Sequence, residues 1–244
     1  MALQDDTDGP WNAATFASLR SIDPAFADAC DRMATNPWRS GVLPRKTVEL
    51  VALAVCVACT NLNADGTRRH MRAALAAGAS RAEILMIAKM GSLMAIHSLS
   101  LGAPILLEEA KAAGVPASAK LAPPPTPACD KIRAMGQWND AWNPFFDLDP
   151  AWTDAFMAAG ANVYASGVFE PKLVELLSIA FDASFTHMYA PGTRRHIRAA
   201  LKLGATVEEV MEVLKICVAE GVQSVNLAVP ILAELLAEQE KPGA

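Results

Sequence analysis

Charge is scarce in this chain of 244 residues: Asp, Glu, Lys and Arg make up 19%, against 52% hydrophobic residues. Lysine and arginine form no long run and the net charge is −5. The basic footprint that a phosphate backbone requires is missing, which excludes nucleic acid as a partner. The opening MALQDDTDGPW is acidic and has no basic region leading into an apolar core; a secretory signal is not expected and the protein reads as cytoplasmic. Cysteine is limited to five residues, an odd number that argues against a disulfide framework. Histidine occurs four times, never as H-x-x-x-H or H-x-H, so neither a metal nor another cofactor is expected. Alternating β-branched patterns are few, and helix is the expected element.

One long stretch has no charge at all. Met90 to Leu107 lacks Asp, Glu, Lys and Arg over 18 positions, the lower limit for a membrane span. Gly91, Ser92, His97 and Pro104 interrupt it, and the corresponding stretch further on carries Glu220, Gln223 and Asn226. The reading is therefore a buried helix, with no membrane contact.

What the sequence does contain is a duplication. GTRRHMRAAL at 66–75 returns as GTRRHIRAAL at 192–201, and an offset of 126 also aligns VEL (48–50 with 174–176), DPA (23–25 with 149–151), SGV (40–42 with 166–168) and PIL (104–106 with 230–232). A unit of this length is a domain rather than a solenoid repeat. The expected division is a first domain over 1–113, a proline-rich linker over 114–135 and a second domain over 136–244. Within each copy, VELVALAVCVAC (48–59) or VELLSIAFDASF (174–185) reads as a core helix. A polar loop follows, with Thr67 or Thr193 as N-cap of the next helix. Gly78 or Gly204 ends that helix, and Ser80 with Glu83, or Thr206 with Glu209, forms a capping box for another.

With those N-caps, Arg68, Arg69 and His70, and likewise Arg194, Arg195 and His196, occupy first turns, where the helix dipole disfavours cations. An anionic ligand held by the arginines would compensate, and the same field would keep the histidine neutral and able to accept a proton. The competing reading pairs the arginines with glutamates, across a subunit contact for instance, and leaves the histidines as packed side chains. Arg72 and Arg198 share a helix face with Arg69 and Arg195, a face suited to solvent or an interface. Glu49 and Glu175 are placed to bridge to an arginine or relay a proton to the histidine. Asp182, inside an apolar helix, needs a partner, and His187 or His196 is near in sequence. Cys56 and Cys59 form a C-x-x-C, but one inside the apolar helix, where buried and inert thiols are expected. His97, opposite Gln223 in the other copy, reads as a satisfied core histidine.

Taken together, Lys-x-x-Glu-Leu leading an apolar helix, then H-[MI]-R-AAL-x-x-GA-[ST] with a downstream glutamate, and an apolar helix ending near PIL, resembles the carboxymuconolactone decarboxylase family. The resemblance covers about 40–110 and 166–236. It implies the all-α fold that this family shares with alkylhydroperoxidase D, here as two tandem repeats intertwined in one chain. Single-unit relatives assemble as hexamers of trimeric symmetry, which implies a homo-oligomer, with a trimer favoured over a dimer. Of the family's functional residues, the histidine (His70, His196) and the early glutamate (Glu49, Glu175) carry over. The redox cysteines of the peroxidase branch would fall on Asn63 and Gly66, or Tyr189 and Gly192, and the decarboxylase branch has Glu-Leu where this chain has arginines.

The resulting expectation is a carboxymuconolactone decarboxylase-like lyase acting on a small carboxylate or lactone, in aromatic or other catabolism. His196 or His70 moves the proton, Glu175 or Glu49 orients or relays, and Arg194, Arg195, Arg68 and Arg69, with Asp182, His187 and Tyr189, line the substrate. The second copy is the favoured site, because Asp182, His187, Tyr189, Glu220 and Asn226 make it more polar. The alternatives are thiol peroxidase or peroxiredoxin activity through Cys56 and Cys59, and a non-catalytic binding or assembly protein.

Overall fold

The computed structural model describes residues 9–116, 124–135 and 138–239, and no strand occurs among them. The first repeat runs α1 (Ala13–Ile22), α2 (Pro24–Ala34), α3 (Asn36–Arg39), α4 (Arg45–Val57), α5 (Ala64–Ala76), α6 (Arg81–Leu93) and α7 (His97–Ala112). A short α8 (Pro127–Ala134) leads to the second repeat: α9 (Asn143–Leu148), α10 (Pro150–Tyr164), α11 (Pro171–Ala183), α12 (Ala190–Lys202), α13 (Val207–Ala219) and α14 (Gln223–Gln239). A 3-10 turn joins α6 to α7 at Met94–Ile96, and another joins α13 to α14 at Glu220–Val222. Bounds of α4, α5 and α6 recur 126 residues later as α11, α12 and α13, so the duplication read from sequence is a duplication of structure. Part of the expected linker, 117–123, and the N-terminal residues 1–8 lie outside the described residues.

Local chemistry sets these helices. Gly78 and Gly204 leave α5 and α12 with φ of +89° and +83°, a left-handed conformation that costs glycine nothing. Thr206 and Glu209 exchange both hydrogen bonds of a capping box at α13, and Ser80 and Glu83 do the same at α6. Lys46 and Lys172 then tie the core helices to those glutamates, each at 2.9 Å.

The N-caps expected at Thr67 and Thr193 are incorrect. Asn63 caps α5 by accepting from the Gly66 amide, and α12 begins after Tyr189. The two threonines lie inside the helices, their amides bonded to the carbonyls of Asn63 and Tyr189. Both arginines and the histidine therefore sit more than a turn inside each helix, beyond the reach of the dipole. Leu62 and Met188, equivalent residues, take φ of +50° and +51° in the turn that returns the chain from core helix to histidine helix. Nothing in a leucine or methionine announces such a turn.

Compactness does not follow the repeat. Among the described residues, 9–88 with 170–239 form one compact unit, and those between 89 and 169 form another, a division that differs from the domain boundaries expected at 113 and 136. The reason is an exchange of helices: α1 of the first repeat packs on α14 of the second, and α9 of the second on α7 of the first. In the larger unit α4 and α11 pack together, with α13 against both, burying Leu50, Leu53, Leu176, Leu177, Ile179 and Ile216. Equivalent threonines, Thr60 and Thr186, meet hydroxyl to hydroxyl at 3.1 Å, which marks a local two-fold relation of the repeats. In the smaller unit Ala103, Cys129, Phe145 and Met157 form the core.

The buried helix expected at Met90–Leu107 is not observed. Leu101, Ile105 and Leu106 are exposed, as are Leu227, Ile231, Leu232, Leu235 and Leu236 on α14. Arg81–Ala112 and Val207–Gln239 each have the length and composition of a membrane span.

Candidate active site

The sequence places a glutamate on each core helix and a histidine on the helix that follows, and the fold joins them. Glu49 of α4 meets His70 of α5, Oε2 to Nδ1, at 2.8 Å; Glu175 of α11 meets His196 of α12 at 2.6 Å. A carboxylate only accepts, so in both copies Nδ1 carries a proton. The far nitrogen, Nε2, separates the two sites.

His70 Nε2 lies 3.0 Å from Oε1 of Glu220. The contact is an ion pair out of line for a hydrogen bond, which leaves both atoms without a hydrogen-bond partner. With a carboxylate facing each nitrogen, the surroundings favour the imidazolium form of His70. Burial pushes its pKa down, but Glu220 and Glu49 together outweigh burial and raise it to about 9. Glu220, although burial pushes it up, is held below its ordinary value chiefly by the His70 charge. All three side chains are sealed, at 1% and 2% exposure for His70 and Glu49 and 0% for Glu220.

Further groups complete this cluster. Trp38 Nε1 and Arg45 Nε both donate to Glu49 Oε1 at 2.8 Å. Cys56 Sγ donates to Glu220 Oε2 at 3.1 Å and Gln223 Nε2 to the same oxygen at 3.0 Å. Cys56, His70 and Glu220 bring potential metal ligands within 4.8 Å of one another. With the thiol protonated, Arg45 and His70⁺ balance Glu49 and Glu220, so protons alone satisfy the charge.

His196 Nε2 instead accepts from Arg195 Nη2 at 2.9 Å. A guanidinium can only donate, so Nε2 carries no proton and His196 is the neutral Nδ1–H tautomer. Burial lowers its pKa; the Glu175 bond pulls it up, and the Arg195 charge pushes it down again. Asp182 Oδ2 stands 3.7 Å from Nε2. Burial, opposed by Arg195 and reinforced by Glu175, raises the Asp182 carboxyl to about 7. This site reaches solvent: the Glu175 side chain is 22% exposed, and Arg195 is exposed.

Neither described cavity includes a histidine. One of about 560 Å³ lies between α2 and α13, lined by Arg32, Met33, Met211 and Lys215 among others. Another, of about 530 Å³, is lined by Ile96, Leu99, Phe145, Trp152 and Phe156 among others.

The carboxymuconolactone decarboxylase family model matches residues 24–96 and 150–234, one match in each repeat. The chain belongs to the carboxymuconolactone decarboxylase family. A crystal structure from Burkholderia xenovorans LB400, described as a gamma-carboxymuconolactone decarboxylase subunit, is similar: 36% identity and a TM-score of 0.83, over 93% of this chain and 92% of that one. No curated protein matches the sequence.

Within this carboxymuconolactone decarboxylase fold the expected substrate-lining residues divide: Arg195 and Asp182 flank His196 and Asp182 comes within 4.8 Å of His187, whereas Arg68 and Arg69 belong to the other copy. Arg68 pairs with exposed Asp65 at 3.2 Å, and Arg69 is anchored on the Pro10 carbonyl at 2.7 Å. Arg194 is exposed. None of these described arginine contacts is to a glutamate. His187 and Tyr189 are half-buried with rings 5.7 Å apart. The cysteines separate: Cys56 is sealed in α4, while Cys59 lies past the helix end and is exposed, contrary to the expectation of a buried pair. Burial and Glu220 raise the Cys56 thiol well above its ordinary value, which suppresses the thiolate that peroxidase chemistry requires.

Two residues counted toward the second copy serve the first. Glu220 pairs with His70, and Asn226 bonds Gln223 and the Pro10 carbonyl that also holds Arg69. An offset alignment pairs Glu220 with Met94, and a charge within an apolar stretch is the signal by which it could have been found. Trp38 and Arg45, opposite Tyr164 and Pro171, carried no such signal.

Gly192 is the counterpart of Gly66, and each lets its helix close on the core. A Cβ at Gly192 would lie 1.9 Å from Asp182 Oδ2 and 2.8 Å from Tyr189. Gly192→Ala is therefore expected to displace Asp182 and destabilise by roughly 1–3 kcal/mol. Gly160→Ala, in a helix with open space around its Cβ, should gain up to about 1 kcal/mol instead. Paired denaturant melts compare the two.

Proposed function

We propose that the protein is a carboxymuconolactone decarboxylase-like enzyme whose base is His196, acting on a small carboxylated or lactone metabolite. The observation that carries this reading is the unprotonated Nε2 of His196, its ring held at Nδ1 by Glu175 and its lone pair facing the exposed Arg195 guanidinium. Neutral at neutral pH and fixed in one tautomer, it meets the requirement of a general base. Arg195 and Arg194 supply the cationic charge for a substrate carboxylate. In decarboxylation the bond to CO₂ breaks, its electron pair spreads into the conjugated lactone, and the carbon takes up a proton. His196 relays that proton: Nε2 takes it as a base from the Asp182 carboxyl, which stands 3.7 Å away and holds a proton up to about pH 7, and passes it to the carbon, after which solvent reprotonates Asp182. Asp182 and His196 thus have environments that keep one able to donate and the other to accept. His70, locked as a cation, supports the fold.

The exposed apolar face of α14 supports a homo-oligomer, with a trimer as the favoured state; light scattering reads it directly. The enzymatic reading is tested by a turnover screen of unsaturated and β-keto carboxylates and lactones with the wild type and His196→Ala. Turnover of any of them by the wild type, lost in His196→Ala, supports it; equal turnover in both proteins removes it.

A further inference from the structure

The two copies of GTRRH put an arginine immediately before each histidine, yet the arginines do different things. Arg69 reaches away, to a backbone carbonyl, and His70 Nε2 faces a carboxylate. Arg195 folds back over its own neighbour and donates into the Nε2 lone pair of His196. That lone pair is the one a base needs. As long as Nη2 occupies it, Nε2 can take up no proton.

We propose that Arg195 is an anion-operated gate on His196: its guanidinium masks the base at rest, and a carboxylate substrate draws the guanidinium off Nε2 and uncovers it. The proposal rests on the reading of His196 as the base. Energetics favour the exchange. A guanidinium on a neutral imidazole makes one hydrogen bond, whereas on a carboxylate it makes a charge-assisted and often bidentate one. Exposure of Arg195 lets an incoming anion reach it, while His196, with 6% of its side chain exposed, cannot follow. A neutral ester offers no such exchange, so the gate selects for substrates carrying a carboxylate. Removing a cation from beside the imidazole also raises its proton affinity. Of the charged groups around His196, Glu175 and Asp182 stay in place; only Arg195 changes position. The base thus strengthens when the anion arrives.

The test uses the full chain and a reagent that attacks unprotonated imidazole, diethyl pyrocarbonate, with mass spectrometry locating the adduct at His196. Arg195→Ala is expected to accelerate modification of His196 by roughly fivefold, the population change that one ordinary hydrogen bond controls. Glutarate should accelerate the wild type toward the variant's rate and leave the variant unchanged. Its dimethyl ester, and sodium chloride at matched ionic strength, should do neither. Equal rates in wild type and Arg195→Ala would overturn the gate; so would a wild type indifferent to glutarate, or one for which chloride serves as well. Because this readout needs no turnover, it stands apart from the activity screen: a gate that responds in a protein where His196→Ala keeps full turnover would refute the base and leave the gate.

Discussion

Replacing His70 with alanine is expected to cost about 3–5 kcal/mol, the penalty for leaving buried charge without its partner. Glu49 and Glu220 have 2% and 0% side-chain exposure, and His70 is the cation between them. For a chain of this size such a loss lowers the melting temperature by roughly 10 °C. Because the penalty belongs to an orphaned carboxylate rather than a lost contact, His70→Ala combined with Glu220→Gln should recover part of it. Strict additivity of the two single effects would contradict that cause.

The same cluster fixes a pH dependence. The folded-state pKa of His70 is about 9, against an ordinary 6.5. Its contribution is fully present below 6.5 and is lost as pH rises through about 9, on the order of 3 kcal/mol in all. Glu220 is shifted the opposite way, so its contribution is present above its ordinary value of 4.5 and is lost as pH falls through its lowered pKa. Denaturant melts across this range should show wild-type stability declining on the alkaline side, and His70→Ala should lack that decline.

The second large effect belongs to the other histidine. His196→Ala is expected to lower kcat by about 10²- to 10⁴-fold, the usual worth of a positioned general base. Its structural cost should be smaller than that of His70→Ala, since Glu175, at 22% side-chain exposure, keeps contact with water when its partner is removed. Circular dichroism and melting measured beside turnover separate the two histidines: one variant loses stability, the other loses activity.

Much of this was legible from residues alone. The duplication, the all-α fold, the glutamate-to-histidine pairing and the glycine and capping-box boundaries follow from spacing and local chemistry. The start of the histidine helix was misread because threonine is a good N-cap on paper, whereas Asn63 and the left-handed Leu62 set the turn in fact. A helix dipole was expected to keep both histidines neutral; the pKa of His196 is lowered by burial and Arg195 instead, and that of His70 is raised by Glu220 and Glu49. The polar count that favoured the second copy does not stand, since Glu220 and Asn226 cross to the first; the proposal of His196 rests on its unprotonated Nε2 instead. That crossing is invisible in sequence: helices exchanged between repeats bring together residues 150 positions apart, and no local pattern encodes it.

At the centre of the account, one motif written twice holds its histidine in opposite protonation states. The direct measurement is nitrogen-15 NMR of the imidazole nitrogens at neutral pH in the wild type, assigned by His70→Gln and His196→Gln. The account predicts one histidine with both nitrogens protonated up to about pH 9, His70, and one neutral Nδ1–H tautomer, His196. Two histidines titrating together near their ordinary value would contradict it.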